Sequence, residues 1–340
     1  MNARNCRGLA AHALPAGRLA GLRATRDFHH GLLACRHRQR GVAVLTAMLV
    51  VTVGTILAVN LMWQAQLDQR RTAAALAADQ GLMYTQGAEA WAADILRQDL
   101  VDSPFSDNLA ELWATEIPPL PVEGGVITGR IEDLHGRFNL NNLVDESGEE
   151  DALALRQFER LLAHVGLDPV LAGAIVDWLD PDADPRFPDG AEDAAYGNTN
   201  PQYRTANVMI TSPSELMAVT GFDAESYALV APYVTALPIG TRLNVNTAPA
   251  LLLATLSDEL DLSTAASLVE ERGAAGFVDI ETVFADLVPP EMFEHMSVDS
   301  DHFLLTGTVV LGMTQLRMRS VLQRDTSGLT RVLFRSQGVE

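Results

Sequence analysis

Arg40-Gly41-Val42-Ala43-Val44-Leu45-Thr46-Ala47-Met48-Leu49-Val50-Val51 joins a basic leader to an apolar run without a break. No charged residue occurs from Val42 to Trp63. At about 1.5 Å rise per residue, a helix over these positions is roughly 33 Å long, enough to cross the hydrocarbon core of a bilayer. Arginines and His37 crowd the N-terminal side, and the first charge beyond the run is the acid Asp68. The positive-inside rule then keeps the leader in the cytoplasm and exports the rest.

Three readings compete for this stretch. A plain signal anchor fits its length. A cleaved secretory signal peptide fits poorly, because its apolar core normally spans only about 7–15 residues. The third reading resembles the N-terminus of type IV pilins, cut after Gly41 by a prepilin peptidase on the cytoplasmic face to leave a new amino terminus at Val42. Most pilin-like subunits carry a glutamate five residues into the mature chain, which pairs with the amino terminus of a neighbour. Here that position is Thr46. A subunit with no neighbour ahead of it needs no such carboxylate, which suits a place at a filament tip.

The charge is strongly divided. Residues 1–41 hold eight arginines against one acid, or +7, whereas the remaining 299 hold 16 arginines against 43 acids, or -27, and lysine is absent. So acidic a body repels nucleic acid and anionic lipid and favours divalent cations and basic partners. Both cysteines, Cys6 and Cys35, lie in the leader, so a body beginning at Val42 has no thiol to oxidise.

Beyond Trp63 the helical pattern continues but becomes amphipathic, with no proline until Pro104. One helix of about 60 residues from Val42 to about Leu100 is the simplest reading. Gly125–Asp133 alternates like a strand, and Gly136–Leu143 reads as a strand ending in an asparagine-rich turn. From Ala152 the chain turns to short helices: 152–165, 169–179, 213–219, 224–230, 249–256, 264–272 and 280–287. Strand-like segments return at 303–311, 314–324 and 330–335. A sheet that starts before a helical block and resumes after it indicates an insertion into a small α+β domain. The expected division is a leader (1–41), a membrane-spanning part of the helix (42–63), a first part of the core (64–148), an inserted helical domain (149–297) and C-terminal strands (298–340).

The densest polar cluster is Asp177, Asp180, Asp182, Asp184, Asp189, Glu192 and Asp193, seven carboxylates in 17 residues broken by three prolines and a glycine. Like charges so close repel unless a cation neutralises them. Aspartates at 180, 182 and 184 resemble the opening of a Ca²⁺ loop, although proline follows where an EF-hand has glycine, and no glutamate closes the twelfth position. Calcium is favoured over zinc because the loop has neither cysteine nor histidine. The candidate ligands are Asp180, Asp182, Asp184, Glu192, Asp193, Asn198 and Asn207; the alternative is a solvated acidic loop. His135, His164, His295 and His302 are scattered without ligand spacing and read as surface or satisfied core residues. No serine nucleophile or carboxylate pair facing a cleft is apparent, so the chain does not read as an enzyme: catalytic carboxylate pairs need separated pKa values in a shared cleft.

Leu243-Asn244-Val245-Asn246-Thr247-Ala248-Pro249, with Arg272 and Gly276-Phe277 downstream, resembles helix-hairpin-helix DNA-binding modules. The linking stretch carries Asp258, Glu259 and Asp261 where such modules have glycines and lysines, so the fold resemblance survives while DNA binding is disfavoured. On that reading Asn246 and Thr247 cap a helical scaffold.

Taken together, the Gly41 boundary with Thr46, Gly136–Leu143, Asp177-Trp178-Leu179-Asp180 with Gly190–Asp193, Tyr203-Arg204 with Asn207, Ser214-Glu215-Leu216 and Leu243–Pro249 resemble minor pseudopilin K of the type II (general) secretion system, in order from about residue 38 to 336. The resemblance implies a pilin-like long N-terminal helix on a small antiparallel sheet. It also implies a large inserted all-α domain with a helix-hairpin-helix or SAM-like part, and structural Ca²⁺. It implies N-methylation at Val42, an inner-membrane anchor, a periplasmic body, and a place at the tip of the pseudopilus. The implied partners are minor pseudopilins I and J, other pseudopilins, the prepilin peptidase and the inner-membrane assembly platform. The rival reading is a membrane-anchored, competence-type DNA-binding protein.

Overall fold

The computed structural model describes residues 40–197 and 199–339; residues 1–39, Asn198 and Glu340 fall outside them. Helix α1 runs unbroken over Arg40–Asp102, matching the long helix expected from the sequence. The residues up to Gln69 and those from Arg70 onward form two separate compact units.

In the first unit every side chain from Val42 to Gln66 is exposed. The most apolar window of this helix has a mean hydropathy of 2.5 and nothing buried against it. A helix this apolar needs lipid or other helices around it. Its threonines bond back into the helix: the Thr46 hydroxyl donates to the Ala43 carbonyl (3.0 Å) and Thr55 to Val51 (2.8 Å).

In the second unit the helix becomes one-sided. Gly81, Thr85, Glu89, Ala92, Ile95, Leu96 and Asp99 are buried at intervals of one to four residues, forming a stripe along one face. That face meets a five-stranded antiparallel sheet of β1 (Leu120–Val122), β2 (Gly125–Asp133), β7 (His302–Leu311), β8 (Thr314–Arg324) and β9 (Thr330–Val339), in that spatial order. Gly81 lets helix and sheet approach closely where they first meet: a Cβ there would lie 2.6 Å from Leu316 Cδ1, and the leucine side chain would have to turn aside. Ala92, Ile95, Leu96, Trp113, Ile131, Phe303, Leu305, Met318 and Leu322 form the core between the two layers. Each large side chain buried there is worth roughly 1.5–3 kcal/mol. A two-residue turn at Gly312-Met313, with Gly312 at φ +57°, joins β7 to β8.

Between β2 and β7 the chain departs for residues 134–301. It leaves and returns on adjacent strands, since Asp133 faces Phe303 in the ladder and Leu134 N donates to His302 O (3.0 Å). This stretch carries short helices α2 (Ala152–His164), α3 (Leu171–Leu179), α4 (Asp193–Tyr196), α5 (Ala224–Val230), α6 (Ala250–Leu253), α7 (Leu262–Arg272) and α8 (Ile280–Phe284) around its own core, centred on Leu140, Phe158, Leu161, Ile175, Tyr196, Leu252 and Phe284. Ser212 caps the turn at Pro213–Ala218 in a capping box with Glu215.

Three local features differ from the sequence reading. The strand expected from 136 is only two residues long, β3 (Phe138–Asn139), and the asparagine-rich turn expected to end it is a 3-10 turn at Leu140–Leu143. The helical stretch contains short strands as well: β4 (Val234–Thr235) pairs in parallel with β3, and β5 (Leu243–Asn244) with β6 (Met296–Ser297). Asn246 and Thr247 cap nothing. Asn246 Oδ1 accepts from Phe277 N (2.6 Å), and Thr247 Oγ1 donates to Asp133 Oδ2 (2.5 Å).

Candidate metal centre

Helix α3 delivers the first acid. It ends at Asp180, whose N–H still bonds the Val176 carbonyl (2.9 Å), because Pro181 disfavours helical backbone at the residue before it. Asp182 follows in a tight turn, its Oδ1 accepting from Asp184 N (2.8 Å). Fully buried Asp177 organises the return: its carboxylate accepts from Arg186 N (3.1 Å), and Gly190 packs so close that a Cβ there would lie 2.2 Å from Asp177 Oδ2. The chain comes back at Glu192, just before α4, whose Oε2 accepts from Thr205 Oγ1 (2.8 Å).

This path places carboxylate oxygens of Asp180, Asp182 and Glu192 within 4.8 Å of one another. Asn207, held at φ +48°, lies beside them, its amide donating to the Asp182 carbonyl. Asp180 Oδ1, Glu192 Oε1 and Asn207 Oδ1 are all buried and accept no hydrogen bond among the described residues. Three buried acceptors without donors are costly, and a cation coordinated between them would satisfy all three. An all-oxygen donor set of high negative charge suits Ca²⁺.

The electrostatics agree with the geometry. Burial, then repulsion from Asp182, Asp177 and Glu192, pushes Asp180 up to about 6. Glu192 is raised chiefly by burial, with Asp177 and Asp182 adding to it and the Thr205 bond opposing. Bare of a cation, the cluster would take up protons to relieve its own charge.

The other candidate ligands stand apart. Asp184 is exposed and contributes its N–H to the turn. Asp193 accepts from Thr205 N (3.2 Å) and sits 3.8 Å from Arg204 Nε. Asn198 lies outside the described residues. The Gly41–Val42 bond lies at the start of α1.

Sequence reasoning passed over two further groups. His135 and His302, 167 residues apart, converge on Asp301. Around Arg324, the carboxylates of Asp99 and Asp107 lie 2.8 and 2.6 Å from its guanidinium, with every side chain only 3% exposed. The motif asparagines do structural work: Asn141 Nδ2 donates to the carbonyls of Ile210 (2.9 Å) and Leu237 (2.8 Å), while its Oδ1 accepts from Ile210 N (2.8 Å). Arg272, part of the motif that resembles a helix-hairpin-helix module, is buried and donates inward to the carbonyls of Val245 (2.5 Å) and Ala248 (2.8 Å).

Comparison with known proteins places these features in context. Residues 136–239 and 243–294 match two family models, both described as type II secretion system (T2SS), protein K. Type II secretion system protein K of Aeromonas hydrophila is 34% identical over 328 residues, covering 90% of this chain and 98% of the relative. That of Pseudomonas aeruginosa is 36% identical, covering 89% and 94%. Among solved structures, a chain of the GspK-GspI-GspJ complex from the enterotoxigenic Escherichia coli type 2 secretion system superposes with a TM-score of 0.71 at 26% identity, covering 79% of this chain and 99% of that one.

Proposed function

This chain belongs to the type II secretion system protein K family, a minor pseudopilin family without enzymatic activity, and from that membership we propose that it caps the tip of the pseudopilus and initiates its assembly. The carrying observation is the pairing of a wholly exposed apolar helix from Val42 with a body matching protein K over nearly its full length. The related complex includes GspI and GspJ, and we assign minor pseudopilins I and J as this chain's partners, with other pseudopilins below.

Prepilin peptidase cuts after Gly41, and Val42 becomes the methylated terminus. The helix is held in the inner membrane with the leader in the cytoplasm and the body in the periplasm, until the assembly platform draws it into the filament. Thr46 supports the uppermost position, since its hydroxyl is satisfied by its own helix and asks nothing of a subunit ahead. The bulk of residues 149–297 hinders addition of a subunit above it. Its 243–294 part is assigned a helix-hairpin-helix or SAM-like arrangement used as scaffold.

Ca²⁺ is held by Asp180, Asp182, Glu192 and Asn207 as the nearest set. When bound, it neutralises the acids and fixes the loop between α3 and α4. The competence-type DNA-binding alternative has no support in the site, because Arg272 faces inward and the body carries -27.

The test is reconstitution. Full-length chain co-expressed with pseudopilins I and J is expected to co-purify as one complex and to restore secretion in a strain lacking protein K. Its mature form is expected to begin at methylated Val42. A chain that starts upstream of Val42 in the membrane yet supports secretion, or that captures neither partner, would sink the tip reading.

A further inference from the structure

We propose that His135, His302 and Asp301 form a second metal site, for a transition ion of the zinc class, which clamps the two crossings where residues 134–301 leave and rejoin the sheet. His135 Nε2 lies 2.8 Å from Asp301 Oδ1, His302 Nδ1 lies 2.5 Å from the same oxygen, and the two nitrogens are 3.5 Å apart. A tetrahedral ion about 2.0–2.1 Å from its nitrogens sets neighbouring ligand atoms roughly 3.3 Å apart. The two nitrogens already stand near that separation, and only the carboxylate must draw back. It is free to do so: the Asp301 side chain is 51% exposed, whereas those of His135 and His302 are 10% and 3% exposed.

The backbone holding these groups is fixed from several directions. His135 N donates to Asp133 Oδ1 (2.8 Å), and His135 O accepts from Asn244 N (2.9 Å). His302 opens β7 and its carbonyl accepts from Leu134 N (3.0 Å), while Asp301 O accepts from Arg324 N (2.8 Å). The rings stack at 5.7 Å between centroids and 22° between planes, so both present a ring nitrogen to one point. Asp133 and Asp299 add negative charge near His135.

Two imidazoles and one carboxylate select zinc-class ions rather than Ca²⁺, which separates this site from the all-oxygen cluster at Asp180. His135 Nδ1 and His302 Nε2, the nitrogens facing away from Asp301, are buried and have no hydrogen-bond partner among the described residues. Binding needs each ring neutral, with its remaining proton on the nitrogen facing away from the ion, so a ring that is protonated beside Asp301 releases one proton to solvent as the metal enters. The exposed Asp301 side leaves the fourth position to water. Because His135 sits at one crossing and Asp301-His302 at the other, the ion ties them across 167 residues of intervening chain.

The experiment is a Co²⁺ titration of the full-length chain in detergent, with saturating Ca²⁺ present to occupy the acidic loop, read by the visible absorption of imidazole-ligated cobalt. Wild type is compared with H135Q, H302Q and D301N, so that ions held by the leader's cysteines and histidines cancel in the difference. We expect one equivalent of cobalt lost from the difference spectrum with each histidine variant, and affinity weakened about 100-fold or more. For D301N, which keeps an acceptor oxygen for both rings and sits at a half-exposed position that does not threaten folding, we expect at least a tenfold loss. Zn²⁺ is expected to displace the cobalt and to raise the melting midpoint of wild type but not of D301N. Cobalt spectra and affinities that are the same in wild type and D301N would overturn the proposal, whatever the fate of the histidine variants.

Discussion

Replacing Arg324 by methionine probes the junction on which the sheet, helix α1 and the inserted stretch converge. Arg324 Nη1 donates to Leu96 O (3.0 Å) and Asp99 Oδ2 (2.8 Å), and Nη2 donates to Asp107 Oδ1 (2.6 Å) and Ser300 O (3.0 Å). Its guanidinium also lies 4.9 Å over the Phe303 ring. Methionine keeps most of the apolar stem and removes all four bonds. Each buried carbonyl left without a donor costs about 1–3 kcal/mol, and removing one partner of a buried ion pair typically costs about 3–5 kcal/mol. These costs overlap, so we expect a total of about 4 kcal/mol, or a melting shift of roughly 10 °C. Protonation limits the damage. Burial already raises Asp107 to about 7 and Asp99 to about 6, because one cation serves two desolvated carboxylates. A folded state that holds protons the unfolded chain has released loses stability as pH climbs from about 4 through those values. Without the arginine this dependence steepens, so the deficit of the variant should be larger at pH 8 than at pH 6. Urea unfolding in detergent, followed by the fluorescence of Trp113 beside Phe303, measures both. A deficit under about 1 kcal/mol at pH 8, or one independent of pH, would refute the reasoning.

Three further outcomes follow from the same physics. Calcium-free protein should melt lower than calcium-saturated protein at pH 8, and the gap should narrow by pH 5.5, because protons compete with the ion once pH falls below the value of about 6 at Asp180; equal gaps would mean these carboxylates do not hold the ion. Gly190→Ala forces a methyl to within 2.2 Å of Asp177 Oδ2 and should cost about 1–3 kcal/mol or more, seen as faster protease nicking between residues 180 and 192; unchanged nicking would show that the loop can shift freely. Asn141→Ala strips three buried hydrogen bonds and should lower unfolding stability by about 2–4 kcal/mol in urea unfolding; an unchanged midpoint would show that these bonds do not hold the fold.

The long elements were legible because periodicity writes them out. An uncharged run passing into an amphipathic one gave α1, alternation gave β2, and β-branched and apolar runs broken at Gly312 gave β7 and β8 within a residue or two. Strands β4 to β6 left no such trace, because two residues in a parallel pair contain no period, and their pairing is decided by partners far along the chain. Asn246 and Thr247 looked like caps since both residue types often are, yet their side chains face a buried network on the strand side. The acidic loop was visible from composition, while the choice among its members was not: whether Asp184 or Asp182 turns inward depends on where Pro181 ends α3 and where Asn207 comes to rest. The pairing of His135 with His302 had no local signature at all, since it arises only when β2 and β7 lie side by side.

The seam at Asp133 and Phe303 has one more implication. Residues 134 to 301 leave and rejoin the sheet at a single rung, and Arg324 and Asp107 tie the stretch back through Ser300 and Val298, so the stem tolerates change in what is grafted there provided those ties and the two cut ends are kept. Drift in size among relatives should therefore collect in the crown and spare the stem. Exchanging crowns between species at that rung would show which half of the molecule chooses its companions.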